Sequence, residues 1–236
     1  LSLVATAIQR VIAYSSIAHM VYITFGLSLF PVALANGDPV IFGSAASIAI
    51  VGTVLHIITH AASKGLLFLT AGGVMHQTEK RDLREMGGLA SKMPFSAVSG
   101  TIAALSISGA PPFACFISEF LIFVGAFQII KTDSFYIIPT ALMLIATVFS
   151  LAYALRFVSK VFLGQSKDEI DSIPPVHDAQ EDANANAGAE HSHKIIDVPN
   201  WMKASLAILV VLVVIIGIYP AFFMNLIQTV TFGVTG

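Results

Sequence analysis

Between Pro39 and His76 the chain runs for about 38 residues with one lysine and no acid. A helix of that length would extend about 57 Å at 1.5 Å per residue, beyond the ~30 Å hydrocarbon core of a bilayer, so it must tilt, protrude or break. The rest of the chain is of the same kind: 56% of the 236 residues are hydrophobic and 11% are charged, with a mean hydropathy of +0.84. Soluble domains carry about a quarter charged residues, and a water-soluble fold could not hide so much apolar surface. The expected fold class is all-α, a polytopic transmembrane helix bundle in a multi-pass membrane protein. A net charge of -2 offers nothing to nucleic acid. The lone Cys115 excludes an intrachain disulfide framework and any thiolate metal cluster.

Windows of about 20 apolar residues, ended by charged or turn-forming residues, define six expected spans. The first runs from Ile12 to Ala35 and ends at Asn36-Gly37-Asp38-Pro39; the second is one long helix from near Gly43 to His76. Spans three and four, Pro94 to Gly109 and Phe113 to Ile130, are short and separated by Pro111-Pro112. Adjacent prolines remove backbone donors, and non-helical backbone at membrane depth survives only when buried in protein or lining a wet cavity, as in transporters. Span five covers Phe135 to Phe162, and span six Met202 to Val230, with Trp201 as an interfacial anchor and Pro220 kinking or ending the helix. The expected organisation is a transmembrane core over 1–163, an acidic flexible loop over 164–200 and a C-terminal transmembrane helix over 201–236. Within that loop His177, His191 and His193 read as parts of a solvated linker, and Asp197 as one of its many acids. The chain opens inside an apolar stretch at Leu1 without an initiator Met, so a preceding N-terminal portion is expected.

A few ionisable residues stand against this apolar background. In HIITHAASKGLLFL, His56, His60 and Lys64 follow at steps of four. Each step drifts about 40° and rises about 6 Å, so the three form a stripe about 12 Å long. Burying a charge at mid-membrane costs at least ~2.5 kcal/mol, and an amine there that gains and loses a proton is what a proton carrier needs. Glu119, in PPFACFISEFLIF, lies seven residues past Pro112 and is the sole acid between Glu85 and Asp133. Breaks in membrane helices recur at ion sites, so Glu119 reads as a functional carboxylate that pairs with Lys64 or exchanges protons with it. The histidine pair leaves three readings open: a water wire, polar helix packing, or a metal. His19, in AYSSIAHM, either extends a polar path with Tyr14, Ser15 and Ser16 or makes helix-helix hydrogen bonds. Arg156 reads as structural, snorkelling with Lys160.

Four strings in one order carry a resemblance: IQRVIAYSSIAHM, HIITHAASKGLLFLTAGGVMH, RDLREMGGLASKMP and SGAPPFACFISEFLIFVGAF. Together they resemble the C-terminal half of the antiporter-like proton-translocating subunits of respiratory complex I. The resemblance implies that Lys64 is the lysine of the family's His-rich helix and Glu119 the key residue of its broken helix. A glutamate there is similar to the M-type subunit of NADH-quinone oxidoreductase and of related archaeal dehydrogenases; multisubunit Na+/H+ antiporters and membrane-bound hydrogenases are the close alternatives. The Asp-x-Lys-Arg pattern usual before the IAYSS motif is reduced here to Arg10, with Ala7 and Gln9 in the Asp and Lys places.

The resemblance further implies partner membrane subunits in a respiratory complex within a prokaryotic cell membrane, protons or Na+ as the ion, and redox energy supplied by the partners. No cofactor is expected in this chain, which has no Gly-rich nucleotide loop and no iron-sulfur cysteines. By charge count, the side with Arg10, Lys80, Arg81, Arg84, Lys92 and Lys131 exceeds the side with Lys160, Lys167, Lys194 and Lys203, which makes it cytoplasmic. The resemblance implies the opposite orientation, and the count differs by only two residues. Two rivals of other classes stay open: an intramembrane hydrolase with His56, His60 and Glu119 as metal ligands, and a purely structural scaffold.

Overall fold

The computed structural model describes residues 2–37, 44–164 and 196–233. The acidic segment between residues 165 and 195, with its three histidines, lies outside the described residues. Among the described residues seven α-helices follow in order: α1 Ile8–Ala35, α2 Ala45–Thr78, α3 Pro94–Ile107, α4 Ala114–Ile130, α5 Ile137–Val161, α6 Asn200–Ile218 and α7 Ala221–Phe232. A 3-10 turn, Ser134–Tyr136, leads into α5. α1, α2, α5 with its leading turn, and α6 are long and apolar enough to cross a bilayer, whereas α3, α4 and α7 are shorter apolar helices. The chain is an all-α multi-pass membrane bundle.

The 34-residue α2 is the central column, packed against α1, α3, α4, α6 and α7. Its start is set by Ser44, whose side chain accepts from the Ser47 N–H at 3.2 Å, and its end by Glu79 in the left-handed region at φ 56°. Close approach of α4 depends on small residues. A Cβ at Gly52 would meet the Leu121 and Ile122 backbone, and one at Gly125 would meet Ala49. α5 presents Ile138, Leu142, Ile145 and Phe149 outward, the apolar exterior that a lipid-facing helix requires.

The expected break between spans three and four is present, with α3 ending at Ile107, α4 beginning at Ala114, and a cis Pro111-Pro112 peptide between them. Two features differ from the sequence expectation, the start of α1 and the role of Asp197. α1 begins one turn early, at Ile8, because the preceding chain is tied to the loop after α2: the Ile8 N–H donates to the Arg81 carbonyl at 3.0 Å and Leu83 N–H to Thr6 at 2.8 Å. In that loop the Arg84 side chain and N–H hold the Asp82 carboxyl well below the usual carboxylate range. The sixth span breaks where the sequence placed a kink or an end: Pro220 cannot continue the i→i−4 ladder, α6 ends at Ile218 and α7 begins at Ala221. Asp197, expected in a solvated loop, instead accepts from the Phe95 N–H at 2.8 Å and the Ser96 hydroxyl at 2.6 Å. α3 opens with Pro94 and has no side-chain cap of its own, so this distant carboxylate takes up the free Phe95 N–H in its first turn.

Arg156 does not snorkel: its guanidinium donates to the Ala5 carbonyl at 2.9 Å and the Ser2 carbonyl at 3.3 Å, fastening the segment before α1 to α5.

Candidate functional site

α1, α2, α4 and α5 converge on one buried polar cluster. α2 carries His56, His60 and Lys64 down a face that is inaccessible to solvent: the three residues are 0%, 7% and 6% exposed. The stripe does not point at a single neighbour. Two steps of four turn it by about 80°, so its two ends address different helices.

At the His56 end the neighbours are α4 and α1. His56 Nδ1 lies 2.9 Å from the Ser118 hydroxyl, which is 3.0 Å from that of Thr59. The other nitrogen of His56, Nε2, lies 3.3 Å from His19 Nδ1. His19 is fully buried, and its Nε2 lies 3.1 Å from the Tyr153 hydroxyl of α5. The His19 ring is stacked on those of Tyr22 and His56 and tilted against that of His60, 4.8 Å away between centroids. His19, one of several options in the sequence, is therefore the node joining three helices.

At the other end Lys64 faces α1. Its amine donates to the Ile12 carbonyl at 2.6 Å and to the Ser15 hydroxyl, which itself donates to Ile12 at 2.8 Å. The expected pairing of Lys64 with Glu119 is not made. The turn of α2 carries Lys64 away from α4, and Glu119 meets His19 instead, Oε1 to Nδ1 at 3.9 Å. The two polar groups approach each other through Ser15 and Tyr153. Both line a small cavity of about 10 Å³ whose other walls, Val11, Leu67, Ile107 and Phe157 among them, are apolar.

Glu119 is 3% exposed, and its Oε1 has no hydrogen-bond partner. Its carboxylate is folded against the α3–α4 break at Gly109, which sits at φ +68°; a Cβ there would collide with Oε2. The break and the carboxylate are thus one feature. His60 Nδ1 is likewise buried without a partner. Buried unpaired polar atoms are rare, and His60 Nδ1 and Glu119 Oε1 are two of the three side-chain atoms of this kind among the described residues, with Ser150 Oγ.

Tyr153 and Ser118 are parts of this cluster that sequence reasoning missed. Tyr153 lies on a mostly lipid-facing helix, and a hydroxyl in an otherwise apolar span was its only signal. Ser118 directly precedes Glu119, but one residue along a helix normally means another face. Tyr14 and Ser16 are half-buried, and Ser16 bonds only within α1, at 3.5 Å to Ile12.

Residues 1–150 match the family model described as "NADH:quinone oxidoreductase/Mrp antiporter, TM". The chain is 31% identical over 214 residues to a protein of Rhizobium meliloti named as a K(+)/H(+) antiporter subunit, covering 91% of this chain and 18% of that protein. It is 33% identical over 178 residues to an Na(+)/H(+) antiporter subunit of Staphylococcus saprophyticus, covering 73% of this chain and 20% of the relative. Among solved structures it is similar to a chain of the membrane-bound sulfane sulfur reductase, an archaeal respiratory membrane complex. There the TM-score is 0.73 at 26% identity, over 97% of this chain and 31% of the other. The chain thus spans about a fifth of the length of the curated relatives it matches. By these matches and by its fold, the chain belongs to the NADH:quinone oxidoreductase/Mrp antiporter transmembrane family.

Proposed function

We propose that this chain conducts protons across the membrane as part of a multisubunit cation/proton antiporter. Glu119 at the helix break exchanges protons with one half of the path, and His19 and His56 pass them between α4, α1 and α2. Tyr153 and Ser15 carry the path on to Lys64, whose amine is the far proton store. In this reading the chain holds no redox group, and partner subunits supply the remainder of the ion route.

The observation that carries the proposal is a series of polar neighbours in a buried core: Glu119 3.9 Å from His19, beyond hydrogen-bond distance, then His19 to His56 at 3.3 Å and His19 to Tyr153 at 3.1 Å. A hydrogen-bonded chain of imidazoles and hydroxyls moves a proton without moving the groups that hold it. Closing the longest gap needs only rotation of the unpartnered Glu119 carboxyl. A hydrolase with His56, His60 and Glu119 as metal ligands is disfavoured by burial, since the three are 0%, 7% and 3% exposed and leave a substrate little access.

Antiport is preferred to redox-driven pumping because the curated relatives named above are K+/H+ and Na+/H+ antiporter subunits. The glutamate at position 119 and the likeness to an archaeal respiratory complex favour the M-type, redox-linked reading as runner-up. Everted vesicles containing the full complex separate the two. Under antiport, adding Na+ or K+ to energised vesicles dissipates the pH gradient, and Glu119→Gln abolishes the response. A gradient indifferent to either cation, with proton pumping lost in Glu119→Gln, overturns antiport in favour of the runner-up.

A further inference from the structure

The geometry points to a second property of the same cluster: we propose that His19, His56 and His60 form a binding site for Zn2+, with Glu119 as fourth ligand, through which the ion plugs the path. One ligand nitrogen from each histidine lies within 4.8 Å of the others. A tetrahedral zinc with metal–nitrogen bonds of about 2.0–2.1 Å places its ligand atoms about 3.3–3.4 Å apart. His19 Nδ1 and His56 Nε2 already stand at 3.3 Å. His60 supplies a buried Nδ1 with no partner to lose, on a ring whose centroid is 4.8 Å from that of His19. Glu119 Oε1, equally unpartnered, stands outside that group of three but 3.9 Å from His19 Nδ1, and is offered as the fourth ligand once its carboxyl turns toward the nitrogens.

The outer contacts of the cluster are also those of a metal centre. With His19 Nδ1 and His56 Nε2 on the ion, their other nitrogens keep the Tyr153 hydroxyl at 3.1 Å and the Ser118 hydroxyl at 2.9 Å. Partners of that kind fix the tautomer and orientation of a ligating imidazole. Three nitrogens and one carboxylate suit zinc, whereas Na+, Mg2+ and Ca2+ require oxygen-rich shells. The ion would displace the His19–His56 hydrogen bond, so occupancy and conduction exclude each other. Zinc binding stands without the relay described above; only the block of transport rests on it.

The test is equilibrium dialysis of the purified complex, containing the full-length protein, against buffered Zn2+, with metal counting and zinc-edge X-ray absorption. The wild type is expected to hold one zinc more than the His60→Ala complex, in a nitrogen-rich shell that a hundredfold excess of Mg2+ does not displace. Ser118→Ala keeps every ligand and should bind about 10- to 100-fold more weakly; His60→Gln, which keeps side-chain volume, replaces His60→Ala should that complex not assemble. Equal zinc in wild type and His60 variant overturns the site. Zinc bound with transport intact supports the site and counts against the relay; no extra zinc in the wild type overturns the site whatever the transport rate.

Discussion

His19 Nδ1 on α1 lies 3.3 Å from His56 Nε2 on α2, and the same nitrogen lies 3.9 Å from the Glu119 carboxylate on α4. One imidazole thus joins the carboxylate at the helix break to the histidine stripe. The consequences extend to each residue that orients it.

Tyr153→Phe removes the hydroxyl against His19 Nε2 and leaves that buried nitrogen unpaired, a cost of ~1–3 kcal/mol. Transport is expected to fall about tenfold while the complex assembles at wild-type levels, read by proton flux in vesicles together with immunoblotting. Undiminished flux would remove Tyr153 from the path.

Gly109→Ala places a Cβ where the Glu119 carboxylate now lies and forces a non-glycine residue to φ +68°. The strain is ~1–3 kcal/mol. Both thermal stability and flux should drop, whereas Ala110→Gly, next to it but away from the carboxylate, should change neither by more than about twofold in flux.

Much of this was legible beforehand. Hydropathy and prolines located the spans and the break at Pro111-Pro112, because the bilayer dictates helix length and a proline pair has few places to go. The period of four in His56, His60 and Lys64 gave the stripe without any structure. Which helix each residue meets depends on the register between helices, and no single-helix periodicity contains it. For that reason direct pairing of Lys64 with Glu119 stood beside proton exchange as a reading, whereas Lys64 lies against Ile12 and Ser15, and Tyr153 was not foreseen at all. The role of Asp197 was hidden by its acidic surroundings: composition described the segment as a whole, while one carboxylate in it closes the N-terminus of α3.

Asp197→Ala should lower the stability of the bundle by ~0.5–2 kcal/mol, as for loss of other helix caps. Thermal unfolding of the purified complex reads the change, and Asp197→Asn should retain part of it. A melting temperature unchanged in Asp197→Ala would show that the α3 N-terminus finds its partners elsewhere.

Gly217→Val drives a side chain into the backbone at Pro112 and Phe113, where α6 lies against the helix break. Overpacking costs ~1–3 kcal/mol where side chains give way, and backbone gives way less. Loss of assembled complex is expected, with Gly217→Ala intermediate; full assembly of Gly217→Val would mean that α6 does not brace the break.

Replacing Lys64 by Met keeps the length of the side chain and removes the amine. Ser15 keeps its bond to the Ile12 carbonyl, so the fold has no reason to fail. The most direct measurement is proton flux in vesicles that contain equal amounts of assembled wild-type and Lys64→Met complex. Flux at background in the variant is the predicted result; flux at half the wild-type rate or more would contradict a relay that ends on this lysine.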